Sequence, residues 1–243
     1  SILSVFYTLF NISSLKIDSN KIKLSYSYKK ILRISFPMMV SGSILLLMGN
    51  IDSFMIGLFS ENISDVGVYN IAVRISTVTS IILFSVNSFI APKISQLFSQ
   101  NRLKDLNNII KNGTRIIFIF TIPFICVFIL MPKYILSFFG NEFIVGYKAL
   151  ILLSIGQFFN AFSGSVGYIM QLTNHEKSFQ NIIFIALLIN IVLNVILIPI
   201  YSIDGAAFSS MLSLIFWNSS CILYIKYNMN IKTYFTLYND NSK

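Results

Sequence analysis

The sequence predicts an all-α polytopic membrane protein, a six-transmembrane-helix bundle. Three observations carry that reading. First, 55% of the 243 residues are hydrophobic and 11% are charged, where a soluble domain carries about 25% charged residues. Second, six long apolar runs approach or exceed the roughly 20 residues needed to cross a hydrocarbon core of about 30 Å. Third, the basic residues crowd into alternate connections, the pattern left by a chain that threads back and forth with its positive loops inside.

Taken in order, residues 1–12, SILSVFYTLFNI, are apolar but too short to span alone. They read as the end of a preceding transmembrane helix, since neither a basic leader nor a small-residue cleavage site accompanies them. Residues 13–30 read as a cytoplasmic interfacial linker. The bundle itself is expected over 31–227. Its spans fall at about 31–59, with Pro37 near the start; about 66–91, closing at Pro92; and about 113–131, ending at Pro132. The remaining three fall at about 147–172, about 179–200 with Pro199 near its end, and about 205–227. Gly205-Ala206-Ala207 opens the last span, and the preceding Asp204 is placed to cap it. Residues 228–243 read as a cytoplasmic tail. Two segments, SYSYKKILRI and QNRLKDLNNIIKNGTR, mix basic residues with periodic Ile and Leu and are expected to lie along the cytoplasmic surface.

Of the 18 Lys and Arg, only Lys133 and Lys148 fall in the opposite set of connections, and Arg74 lies within a span. The net charge of +9 is therefore a topology signal, with attraction to anionic lipid head groups as a second effect. It does not point to nucleic acid, because no basic stripe sits on a soluble domain. Cys126 and Cys221 both lie in apolar runs and read as small hydrophobes. His175 is the single histidine and lies in a polar turn, which leaves no donor set for a metal. No phosphate loop or nucleophile elbow is present. The sequence calls for no cofactor.

The informative residues are the polar ones inside the spans. Asp52, in GNIDSFMIG, lies within the first. A carboxylate at that depth costs about 2.5–3.5 kcal/mol on insertion scales and is a functional hypothesis by default. Arg74 stands at a similar depth in the next span, so an Asp52–Arg74 ion pair is expected; it would either lock two helices or open to offer Arg74 to an anionic ligand. Asn70, Thr77, Ser80 and Asn87 share one face of the second span, with Tyr69 and Ser76 beside it. In the fourth, Gln157, Asn160, Gly164, Gly167 and Gln171 recur at helical spacing. Such a stripe serves either close helix packing or the wall of a polar cavity. Asn190 and Asn194 repeat the ambiguity in the fifth. Ser210, Ser213 and Trp217 in the sixth read as packing.

The stretches ISFPMMVSGSILLLMGNIDSFMIG, VGVYNIAVRIS, APKISQLFSQNRLKDLNNII, GQFFNAFSGSVGYIMQLTNHEK and IPIYSIDGAAFSSMLS, in that order, resemble the second half of Wzx-type polysaccharide repeat-unit flippases of the MOP exporter superfamily. The resemblance runs from about residue 30 onward. It implies the second half of a two-bundle MOP-type transporter, with six helices per half and a central cavity open alternately to each side. It implies undecaprenyl-pyrophosphate-linked oligosaccharide as cargo, O-antigen and lipopolysaccharide biosynthesis as the setting, and the bacterial cytoplasmic (inner) membrane as the place, with the C-terminus cytoplasmic. Membrane lipids, the polysaccharide polymerase and the chain-length machinery become candidate partners. Arg74 would meet the anionic cargo, with Asn70, Thr77, Ser80, Asn87, Gln157, Asn160 and Gln171 as cavity wall and Asp52 as the residue for a coupling ion. The alternatives are a MATE-like drug/cation antiporter, which calls for several cavity acids, and a membrane enzyme of glycan assembly, which calls for a sizeable loop domain.

Overall fold

A computed structural model describes residues 28–60, 62–231 and 233–235. The expected helix end at 1–12, most of the linker at 13–30 and the last residues of the tail lie outside the described residues. The chain divides into two units, 1–33 and 34–243, and the second holds the bundle. Its elements are α1 (Tyr28–Phe59), α2 (Ser64–Thr77), α3 (Ser80–Ser99), α4 (Leu103–Leu130), the short α5 (Pro132–Ser137), a 3₁₀ helix (Asn141–Gly146), α6 (Tyr147–Ser163), α7 (Val166–Leu172) and α8 (Glu176–Met229). No strand occurs among the described residues.

Five helical stretches among the described residues are long and apolar enough to cross a membrane. The last, α8, has 54 residues and would be a rod of about 81 Å at 1.5 Å per residue, far more than one bilayer core. It is instead broken at Ser202, whose φ of +46° and ψ of −124° are not helical. Asn194 and Ser210, equidistant from Ser202 in sequence, both donate to the Asp52 carboxylate. Near the far ends, the Ser178 hydroxyl bonds Tyr224 at 2.9 Å. The two halves therefore lie antiparallel as a hairpin and make two passages. At its tip, Asp65 accepts from the hydroxyls of Ser60 and Ser202 at 2.6 Å each, which ties the α1–α2 connection to the break.

Several expected boundaries move. The second passage is two helices, α2 and α3, joined through Val78 and Thr79, and it runs past Pro92 to Ser99. The joint has a local cause. In ISTVTS, the hydroxyls of Ser76 and Thr77 bond back to Val73 O, and Thr79 to Ser76 O. These side chains compete with the regular ladder, and Val78, Ile81 and Ile82 turn to tighter bonds three residues back. The amphipathic QNRLKDLNNIIKNGTR segment does not turn along the surface before its span. From Leu103 it is continuous with α4 as one helix of 28 residues. Its Gly113 lies inside the helix and lets α3 approach closely, since a Cβ there would stand 3.0 Å from Ile90. The fourth passage is also two helices, α6 and α7, broken at Gly164–Ser165. The described part of the tail folds back: Phe235 stacks on Phe118 with centroids 4.1 Å apart, and its N–H donates to Phe162 O at 3.1 Å.

The buried core comes in two apolar parts. One gathers Ile56, Tyr69, Leu136, Leu150, Ile198 and Ala206. The other, toward the end that carries Arg102, Lys104 and Lys177, gathers Ile94, Leu106, Ile169, Phe179, Cys221 and Ile225. Between them lie buried polar side chains: Asp52, Gln157, Asn160, Asn190, Asn194 and Ser213. Outside, Leu46, Phe89, Phe120, Leu130, Val192 and Ile196 are exposed. That distribution, an apolar outside over a partly polar inside, suits lipid as solvent. Both cysteines are free.

Candidate functional site

The polar waist opens into a cleft with two lobes, and Leu45 and Trp217 line both. The first lobe, about 190 Å³, is walled by Asp52 from α1, Tyr69 and Thr77 from α2, Gln157 from α6, and Ser210 and Ser213 from the second half of α8. The second, about 240 Å³, is walled by Ser80 and Asn87 from α3, Asn160 from α6, Ser165 at the helix break, and Tyr168 and Gln171 from α7.

Asp52 organises the first lobe. It is 4% exposed. Its carboxylate accepts from Tyr69 Oη at 2.7 Å, from Asn194 Nδ2 at 2.6 Å and from the Ser210 hydroxyl. Asn194 also donates to Asn190 Oδ1 at 3.3 Å. Four passages thus converge on one carboxyl group, and these donors offset part of the cost of burying it.

The expected ion pair with Arg74 is absent. The one ion pair among the described residues joins Arg102 to Asp105, on the surface. Arg74 is exposed and lines neither lobe. The reason is angular. Similar depth in neighbouring helices does not make two residues face each other, and Tyr69, rather than Arg74, is the α2 residue turned toward Asp52. Asn70 also lines neither lobe; its Oδ1 accepts from Ser53 at 2.8 Å and ties α2 to α1.

The structure thus brings Asp52, Thr77 and Gln157 to the first lobe, and Ser80, Asn87, Asn160 and Gln171 to the second. Gln157 Oε1 bridges them by accepting from Ser80 Oγ and Asn160 Nδ2, each at 3.3 Å. Sequence reasoning left Tyr69, Asn194, Ser210, Trp217 and Tyr168 out of the site. The pair Asn190 and Asn194 in an otherwise apolar run carried a signal. Ser210 and Trp217, in a helix rich in serine and apolar residues, carried none.

Two glycines shape the second lobe. Gly164 has φ +69° and ψ −139°, a conformation that strains any residue with a Cβ. A Cβ there would also run into the Thr114 side chain on α4. This break ends α6 at the lobe wall, and broken backbone at membrane depth is tolerated where it lines a cavity. A Cβ on Gly167 would stand 3.1 Å from Phe179, whose ring meets Trp217 edge-on at 6.1 Å. Gly164→Ala is expected to cost about 2 kcal/mol from strain alone. A thermal unfolding midpoint equal to the wild type's would show that the break is not held as described.

Comparison with known proteins gives consistent matches. The MatE family model matches residues 37–196. Two curated proteins of Haloferax volcanii are similar. The "Probable low-salt glycan biosynthesis flippase Agl15" is 29% identical over 163 residues, 67% of this chain and 34% of that protein. The "Probable flippase AglR" is 28% identical over 172 residues, 68% of this chain and 35% of that protein. The chain therefore spans about a third of the length of these relatives. Among solved structures, an outward-facing multidrug resistance MATE family transporter of the MOP superfamily superposes with a TM-score of 0.65 at 19% identity, over 85% of this chain and 47% of that one. A MOP superfamily transporter from Pyrococcus furiosus does so with a TM-score of 0.63 at 18% identity, over 85% and 46%. At those identities the likeness is one of fold.

Proposed function

This chain belongs to the MatE family, and from that premise we propose that it forms the second half of a flippase that moves a lipid-linked oligosaccharide across a membrane by alternating access. The observation that carries the reading is the cleft wall. Its one carboxyl side chain, Asp52, already accepts three side-chain hydrogen bonds. The rest is amide, hydroxyl and aromatic. Such a wall suits sugar hydroxyls, which both donate and accept, while the apolar outside lets a polyprenyl tail stay in lipid. A drug/cation antiporter calls for several cavity acids, and the cleft wall carries one among the described residues. The names of the two Haloferax proteins favour glycan cargo in the same way.

The more specific form of the proposal is an undecaprenyl-pyrophosphate-linked O-antigen or polysaccharide repeat unit. It places the chain in the bacterial cytoplasmic membrane with the basic end and C-terminus in the cytoplasm, near the polymerase and chain-length machinery. The two named relatives are archaeal, so the carrier is best defined by its chemistry, a polyprenyl chain with an anionic linker. Asp52 is the residue proposed to take up a proton or monovalent cation when its hydrogen bonds rearrange. Arg74, exposed and outside both lobes, is proposed to meet the anionic linker during passage.

The test is surface glycan in cells lacking their own repeat-unit flippase and carrying the full-length gene product, supplied with its cognate glycan. Restoration is expected. A well-expressed protein that restores nothing, but exports organic cations, would replace the proposal with the antiporter. Arg74→Ala is expected to leave stability within about 0.5 kcal/mol, as for a surface change, and to reduce export at equal membrane abundance. Full export by this variant would remove Arg74 from the mechanism.

A further inference from the structure

We propose that the second lobe is a subsite for one uncharged sugar ring, so that this half of the transporter selects neutral glycan and leaves the anionic linker to be recognised elsewhere. The inference rests on the flippase reading and narrows it. None of the residues that wall this lobe is Lys, Arg, His, Asp or Glu. An acidic sugar would enter a low-dielectric site without a counter-charge, which burial of an ion does not tolerate.

Positive features point to a polar but neutral ligand. Asn87 is 1% exposed. Its Oδ1 accepts from the Ser165 hydroxyl, while its Nδ2 has no partner. An unpaired buried amide N–H is costly, and it belongs to a side chain of the lobe wall. Gln171 donates from Nε2 to Gly167 O at 3.2 Å, and its Oε1 has no hydrogen-bond donor among the described residues. One unpaired donor and one acceptor without a donor therefore belong to side chains that line the lobe. Trp217, half-buried and held edge-on by the buried Phe179 ring, lines it as well and supplies apolar surface for the C–H face of a ring, while amides orient its hydroxyls. The volume of about 240 Å³ equals roughly eight waters at about 30 Å³ each, the scale of a single pyranose. The break at Gly164–Ser165 adds the irregular backbone that at membrane depth marks a lined cavity.

Trp217 is the only tryptophan in this sequence and makes occupancy readable. The full-length gene product is placed in phospholipid nanodiscs, without sugar-headed detergent, and titrated with chitotriose as neutral probe and trigalacturonate as acidic probe. The emission that Trp217→Phe removes is the signal. Chitotriose is expected to change it saturably, and trigalacturonate at least tenfold more weakly. Gln171→Lys, on a half-buried helix end, is expected to weaken chitotriose about tenfold and to let trigalacturonate bind, because it supplies the missing counter-charge. A merely structural role for Gln171 would not reverse the order. Equal binding of both probes, no saturable change with chitotriose, or an unchanged order in Gln171→Lys would each overturn the proposal.

A second arm measures flipping of lipid-linked units carrying neutral or acidic sugars in proteoliposomes. Flipping of acidic units by a protein that ignores chitotriose would keep the flippase and discard the subsite. Probe binding in the expected order without any flipping would keep the neutral lobe and discard the flippase; the lobe would then serve free sugars.

Discussion

Asp52→Ala is expected to destabilise the bundle by about 2–3 kcal/mol, whereas Asp52→Asn is expected to stay within about 1 kcal/mol of wild type and yet lose transport driven by an ion gradient. The first variant leaves Tyr69 Oη, Asn194 Nδ2 and the Ser210 hydroxyl aimed at a missing acceptor. Each buried donor without a partner costs about 1–3 kcal/mol. Removing a buried charge works the other way, and that holds the net loss below the sum. The Asn variant keeps the shape and one acceptor for Asn194. Its new N–H groups can donate to the Tyr69 and Ser210 hydroxyls, which can accept. What Asn cannot do is change its charge. Thermal unfolding in nanodiscs separates the fold effect, and glycan flipping in proteoliposomes with and without an ion gradient separates the coupling. An Ala variant that melts with the wild type would mean the three bonds hold nothing together. An Asn variant with full gradient-driven flipping would take Asp52 out of coupling.

Gly205→Ala is expected to cost roughly 3 kcal/mol, the upper range for overpacking. The added methyl would stand 2.6 Å from the Leu197 carbonyl carbon and 3.1 Å from Ile198 N, and it would collide with the Leu197 oxygen. These are backbone atoms, so no side chain can rotate away. Relief requires the two halves of α8 to part near Ser202. That motion would also separate Asn194 from Ser210, the two residues of this hairpin that share Asp52, so transport should fall with stability. Gly42→Ala is the comparison. A Cβ on Gly42 meets nothing within 4 Å, and Ala inside a helix gains about 0.5–1 kcal/mol over Gly. The two variants should shift the unfolding midpoint in opposite directions. Shifts of equal sign and size would show that α8 is not closed as tightly as the backbone contact requires.

The sequence by itself determined the class of this protein. Run length against lipid thickness decides it, and the spacing of Lys and Arg supports it, since these are properties of a chain read along its length. It also determined which residues could matter, because few polar side chains occur inside the spans and each carries a solvation cost. Gln157, Asn160 and Gln171 are legible at helical spacing for that reason. Tertiary structure alone decided which of them meet. Asp52 takes Tyr69, Asn194 and Ser210 and passes over Arg74, because contact depends on the rotation of each helix about its own axis, and depth in the membrane does not fix that angle. The breaks at Ser202 and Gly164 belong to the same class. A serine at φ +46° whose hydroxyl donates to Asp65 and a glycine with no room for a Cβ beside Thr114 both stand against partners far away in sequence.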